Sequence, residues 1–175
     1  MMDDKGGGSP VPSAAELLLA RGWMVALAES CTGGLIMKRL TDTPGSSRYV
    51  AGGVVAYADR VKMDLLGVDP DLLREHGAVS REVARAMALG IAGKLRVEVG
   101  LSVTGIAGPD GAVPGKPVGT VWFGCSTNGV NVEERVQFEG DREVIREAAA
   151  AYALDLLARA VADTKNTRNS RGSQG

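Results

Sequence analysis

The sequence predicts an α/β protein: a three-layer α/β/α sandwich around a mixed, mostly parallel sheet. Three observations carry this. Short apolar runs alternate along the chain with helix-length segments, the order that places helices on both faces of a sheet. The chain is 45% apolar but only 4% aromatic, so its core is built from small aliphatic side chains that suit packed layers. Gly-rich stretches directly follow the apolar runs, and in open α/β sheets ligands bind beyond the carboxyl ends of the strands.

The elements follow in order. Residues 1–12 are polar and Gly-rich and read as a flexible lead. A helix starts at Ser13, which has capping-box spacing to Glu16, and Gly22 sits where a C-cap glycine belongs. WMVALAE is a buried strand, and SCTGG leads into a helix from about Leu35. After the loop TDTPGSS comes a second strand, GGVVAY, then a helical stretch that carries Lys62 and ends near Gly67. DPDLLREHG forms a short helix, and Ser80 caps a longer one over Arg81 to Leu95. VEVGLSVTG is apolar enough to be a central strand. A long Gly/Pro loop follows, and then two strands joined by Asn128-Gly129, a strong hairpin signal. Asp141 opens a final helix with apolar positions at helical spacing. Residues 163–175 are polar and read as a disordered tail, which leaves one domain over 13–162.

Composition narrows function. Net charge is −1, without the basic footprint of a nucleic-acid binder. No apolar run reaches the roughly 20 residues a membrane span needs, and the N-terminus lacks the apolar stretch of a secretory signal. Cys31 and Cys125 have no metal-type spacing and read as free thiols. With no carboxylate cluster and one histidine, His76, no metal or other cofactor is expected. A cytoplasmic protein acting on a small molecule fits these bounds.

Four groups of residues could carry chemistry. Glu29-Ser30-Cys31-Thr32-Gly33-Gly34 joins a strand to a helix, where backbone N–H groups favour an anion; a tight turn capped by Thr32 accounts for it equally well. Gly45-Ser46-Ser47, Tyr57 and Lys62 offer a serine nucleophile with a lysine base, and spacing alone favours the plain account of a cap, a packing tyrosine and a solvated charge. Thr104-Gly105-Ile106-Ala107-Gly108 follows the most apolar strand and could expose N–H groups as an oxyanion hole. Arg142 follows the cap Asp141, with Arg146 one turn on, and a guanidinium there could meet a phosphate or serve as surface charge. Cys31 is a rival nucleophile, since a helix N-terminus lowers a thiol's pKa.

Taken in order, AESCTGG, PGSS, GGVVAY with Lys62 five residues after Tyr57, HGAVS, SVTGIAGPDG, KPVGTVW and FEGDRE resemble the CinA C-terminal domain family. The resemblance spans roughly residues 14–162. It implies the same three-layer fold and hydrolysis of the carboxamide of nicotinamide mononucleotide, without metal, by subunits that form a homo-oligomer with sites near the interfaces. It ties Ser47, Tyr57 and Lys62 to catalysis, with Ser30 as the alternative nucleophile. The loops bearing Glu29, Cys31, Thr32, Gly33, Gly34, Gly45, Ser46, Thr104, Gly105, Ile106, Ala107 and Gly108 line the pocket, and Arg142 and the helix end after Gly34 hold the phosphate. A second implication is a competence- or damage-related binding module without turnover. Position 59 is Asp where the family usually has Asn, which puts a carboxylate three residues before Lys62.

Overall fold

The computed structural model describes residues 13–164; the expected lead over 1–12 and all but the first two residues of the expected tail lie outside it. Those two belong to the fold. The last helix runs to Asp163, and buried Thr164 meets Thr127 through their hydroxyls at 2.6 Å.

In chain order the elements are α1 (Ala14–Arg21), β1 (Val25–Glu29), α2 (Leu35–Thr41), a 3-10 turn (Ser46–Arg48), β2 (Val50–Val55) and α3 (Asp59–Leu66). Then come α4 (Pro70–His76), α5 (Arg81–Leu95), β3 (Val99–Gly105), β4 (Thr120–Thr127), β5 (Val130–Gln137) and α6 (Arg142–Asp163). Local chemistry sets many of the boundaries. Ser13 and Glu16 close a reciprocal capping box, and Gly22 ends α1 in the left-handed region at φ 62°. Ser80 and Asp141 cap α5 and α6 through their side chains. Asn128 and Gly129 both take positive φ, 34° and 92°, as a tight turn between β4 and β5 requires.

The sheet order is β2-β1-β3-β4-β5. β1 pairs in parallel with both β2 and β3, while β3–β4 and β4–β5 are antiparallel. Four of the five strands therefore point one way and β4 runs against them. The sheet is mixed, as the pattern predicts.

Side chains alternate across β1 because successive Cβ atoms point to opposite faces. Val25 and Leu27 enter a core shared with α1, α2 and α6, including Leu18, Ile36, Ile145 and Leu156. Ala26 and Ala28 enter a second core with Leu66, Val83, Met87 and Ile91 from α3 and α5. Small residues let α5 lie close to the sheet: a Cβ at Gly100 would sit 2.1 Å from the carbonyl oxygen of Ala88. The parallel strands β1, β2 and β3 end together, with Glu29 level with Val55 on one side and Val103 on the other. The loops leaving these three ends make the site.

Candidate active site

The turn after β1 is held by its own glutamate. Glu29 is 2% exposed, and its carboxylate accepts from Thr32 Oγ1 at 2.6 Å and from the backbone N–H groups of Gly34, Ile36 and Met37 at 3.0, 3.2 and 2.8 Å. The first N–H groups of a helix have no partner within it, and here a buried anion supplied by the chain satisfies them. From the other side Arg146 donates to the carbonyls of Cys31 at 3.1 Å and Thr32 at 2.9 Å. Ser30 sits at the start of this braced turn, its N–H donating to Val103 O at 3.0 Å. Its side chain makes no hydrogen bond among the described residues.

A cavity of about 220 Å³ opens at these strand ends, walled by Ser30, Tyr57, Lys62, Thr104 and Arg142 among others. Lys62 projects from α3 and is 2% exposed, a rare burial for a lysine. Its Nζ donates to Asp59 Oδ1 at 3.0 Å and to the Tyr57 carbonyl at 3.3 Å, while the Asp59 side chain is 56% exposed. Arg142 ties the rim together, donating to Gly108 O at 2.8 Å and to the Tyr57 hydroxyl at 3.0 Å. Thr104 Oγ1 donates to Ala78 O at 2.8 Å, which fixes the loop before α5 as another wall.

Several expected site residues therefore meet. Ser30, Cys31, Tyr57, Lys62, Thr104, Gly105, Ala107 and Arg142 line one cavity. Others support it from behind. Glu29 and Thr32 bond to each other, Gly33 and Gly34 turn the chain at φ 63° and 99°, and the Gly108 carbonyl holds Arg142. Ile106 anchors its loop through backbone bonds to Thr120 and Gly119.

Three expectations are corrected. Ser47 is not brought to Lys62. Gly45, Ser46 and Ser47 lie at the amino end of β2, where Ser47 is exposed. The six residues of β2 separate them from Tyr57, about 20 Å at a strand's rise per residue. The serine that shares the cavity with Lys62 is Ser30. Second, the α2 N-terminus does not offer its N–H groups to a phosphate, because Glu29 already takes those of Gly34, Ile36 and Met37. Third, Cys31 is no activated thiolate. Burial pushes its thiol up to about 12, with the nearby Glu29 carboxylate acting in the same direction. Two further features were not among the expected site residues. The cavity wall at Ala78 and Val79 falls in the HGAVS segment, and the bracing by Arg146 connects residues more than a hundred positions apart.

Among the described residues no group of three or more His, Cys, Asp or Glu is placed to hold a metal ion, and no helix is long and apolar enough to cross a membrane.

Comparison with known proteins agrees with this architecture. Residues 11–161 match the family model described as CinA C-terminal domain. A CinA-like protein of Syntrophotalea carbinolica is 51% identical over 150 residues, covering 84% of this chain and 36% of that protein. The chain thus spans about a third of the length of such relatives. The nicotinamide-nucleotide amidohydrolase PncC of Enterobacter agglomerans is 48% identical over 143 residues, covering 81% of this chain and 87% of that protein. Among solved structures, a CinA superfamily protein of Klebsiella pneumoniae aligns with a TM-score of 0.82 at 34% identity, covering 85% of this chain and 93% of its own. The competence/damage inducible protein CihA of Agrobacterium tumefaciens aligns at 0.77 with 39% identity, covering 89% and 99%. With its ordered motifs, its five-stranded mixed sheet and a family model matched over nearly all described residues, this chain belongs to the CinA C-terminal domain family.

Proposed function

We propose that this chain is an amidohydrolase that converts nicotinamide mononucleotide to nicotinic acid mononucleotide and ammonia, with Ser30 as nucleophile and Lys62 as its base. The observation that carries it is the pairing of a braced serine and a buried lysine in one cavity at the strand ends. The name borne by the Enterobacter agglomerans relative, nicotinamide-nucleotide amidohydrolase, supports the reaction class.

The chemistry follows from the groups present. Neutral Lys62 takes the Ser30 hydroxyl proton as Oγ bonds to the carboxamide carbon. A serine needs such a base because its hydroxyl is a weak nucleophile. The oxyanion of the tetrahedral intermediate is met by backbone N–H groups at the cavity wall. Those of Cys31 and Ala107 donate to no other described residue, which leaves them for this task. Lys62 returns the proton to the leaving nitrogen and ammonia departs, leaving an ester on Ser30. Lys62 then takes a proton from water, the hydroxide carbon–oxygen bond forms, and Ser30 leaves with its proton restored. Tyr57, held by Arg142, closes the outer side of the cavity and its carbonyl orients Lys62.

Ammonia release from nicotinamide mononucleotide tests this. Ser30→Ala and Lys62→Ala are expected to lose activity by at least about a thousandfold, as removal of a nucleophile or its base does, while Ser47→Ala retains it. Full activity in Ser30→Ala removes Ser30 as nucleophile, and no ammonia from the unmodified protein removes the substrate assignment.

A further inference from the structure

We infer that a second cavity, back to back with the amide pocket, is a separate binding site for a purine mononucleotide, with the base on Trp122 and the phosphate on Lys116 and Arg135. The inference goes beyond the amidohydrolase reading and does not depend on it.

Thr104 and Trp122 stand directly opposite each other on β3 and β4, so their side chains leave the same face of the sheet. Thr104 lines the amide pocket. Trp122 lines a larger cavity of about 490 Å³ that has no lining residue in common with it. The segment from His76 to Ser80 divides the two. Its Ala78 and Val79 line the amide pocket, and its His76 and Ser80 line the larger cavity. The partition is pinned from both sides: Thr104 Oγ1 donates to Ala78 O at 2.8 Å and Lys116 Nζ to His76 O at 2.5 Å. The larger cavity is thus braced, and its volume falls within the roughly 300–1,000 Å³ of sites that enclose a small ligand.

The charges of this cavity are unequally satisfied. Arg135 donates to Gly115 O at 3.1 Å, which brings its guanidinium to the loop that carries Lys116. Neither cation has a carboxylate partner among the described residues. Each keeps donors to spare, since an ammonium has three and a guanidinium five and each has used one. A third cation, Arg81, is already held by the Glu133 carboxylate at 3.2 Å. Two carboxylates also line the cavity. Glu75 and Glu82 lie 4.0 and 3.8 Å from the ring nitrogens of His76. An anionic group is therefore drawn to Lys116 and Arg135, where it meets charge-assisted donors, while Glu75 and Glu82 accept from hydroxyl or amine groups. Trp122 is the cross-strand neighbour of Arg135 and is half-buried, and no cation covers its ring among the described residues. It offers a stacking face, which nucleic-acid bases use irrespective of their identity. A ligand that meets all three features carries a flat ring, hydroxyl or amine donors and an anion. A purine mononucleotide has each of them, and its fused rings give the larger stacking surface.

The test is calorimetric titration with adenosine 5′-monophosphate, with tryptophan fluorescence read in parallel. The other tryptophan, Trp23, is buried, so quenching on binding reports Trp122. The nucleotide is expected to bind and to quench. Adenosine and ribose 5-phosphate, which each lack one of the two recognised groups, should bind at least about tenfold more weakly. Lys116→Gln and Arg135→Gln should each weaken the nucleotide at least about tenfold, and Trp122→Leu should remove the quenching. Arg142→Gln, a change in the amide pocket, should leave the affinity as it was. The Arg135 variant keeps the test decisive where loss of Lys116 disturbs the partition, because Arg135 bonds only to Gly115 O. Failure of the unmodified protein to bind at millimolar nucleotide, or an affinity unmoved by both Lys116→Gln and Arg135→Gln, overturns the site. A loss in Arg142→Gln alone also overturns it, by placing the nucleotide in the amide pocket.

Discussion

Replacing Glu29 with glutamine tests whether a buried carboxylate holds the turn after β1 in shape. In the native turn one carboxylate oxygen accepts from Thr32, Gly34 and Ile36 and the other from Met37. The amide of Glu29→Gln can keep its oxygen toward the first three donors. Its NH2 group then faces the Met37 N–H, which is left without an acceptor. An unpaired buried donor costs about 1–3 kcal/mol, and removing a negative charge from a helix N-terminus costs about 0.3–2 kcal/mol more. Glu29→Gln should thus destabilise the protein by about 1–5 kcal/mol, or lower its Tm by about 3–20 °C for a domain of this size. Urea titration at constant pH measures this, with an unchanged m-value confirming the same two end states. A loss below about 1 kcal/mol, less than the smallest penalty for one stranded donor, would refute the assignment of Glu29 as the anchor of α2.

Asp59→Asn keeps an oxygen for Lys62 Nζ but removes the ion pair. The pair is 3.0 Å long with Asp59 half-exposed, so it is worth up to about 1 kcal/mol. A stability loss of no more than about 1 kcal/mol is therefore expected in urea titration, and a clearly larger loss would show that the carboxylate anchors the buried lysine. Cys31 and Cys125 are buried and their thiols are pushed up to about 12 by burial. Iodoacetamide should therefore leave both unmodified in the folded protein and label both in urea, as read by mass spectrometry. On β5, Glu134 accepts from Arg159 at 2.9 and 3.0 Å, and these bonds, with that from Tyr152, hold its carboxyl below the ordinary 4.5. A depressed carboxyl stabilises the fold above its unfolded value and loses that contribution as pH falls through its folded value. Glu134→Gln should therefore cost about 1 kcal/mol at pH 7, after discounting for the partly exposed Arg159. The difference should shrink steadily once the pH drops below 4.5; a difference that stays constant into acid would contradict the ion-pair account.

The sequence by itself determined what depends on neighbours along the chain. The capping box of Ser13 and Glu16, the end of α1 at Gly22, the Ser80 and Asp141 caps and the Asn128-Gly129 turn are each satisfied within a few residues, so local pattern sufficed to place them. The alternation of apolar strands with helices likewise fixed the layers, and a hairpin fixed the antiparallel pair. Along the chain, Ser47 lies between Ser30 and Lys62 and is the nearer serine to Lys62, whereas in space the order reverses. A strand carries the chain straight from one end of the sheet to the other, while parallel pairing sets Glu29 level with Val55. That pairing brings Ser30 to Lys62 and leaves Ser47 at the far end. Likewise, nothing near residue 29 announces that its carboxylate would fill the helix end instead of a ligand. Nor does anything near residue 146 announce a guanidinium under the turn at Cys31 and Thr32. These are contacts between groups that only the packed layers bring within hydrogen-bonding distance, and they determine which serine shares a cavity with Lys62.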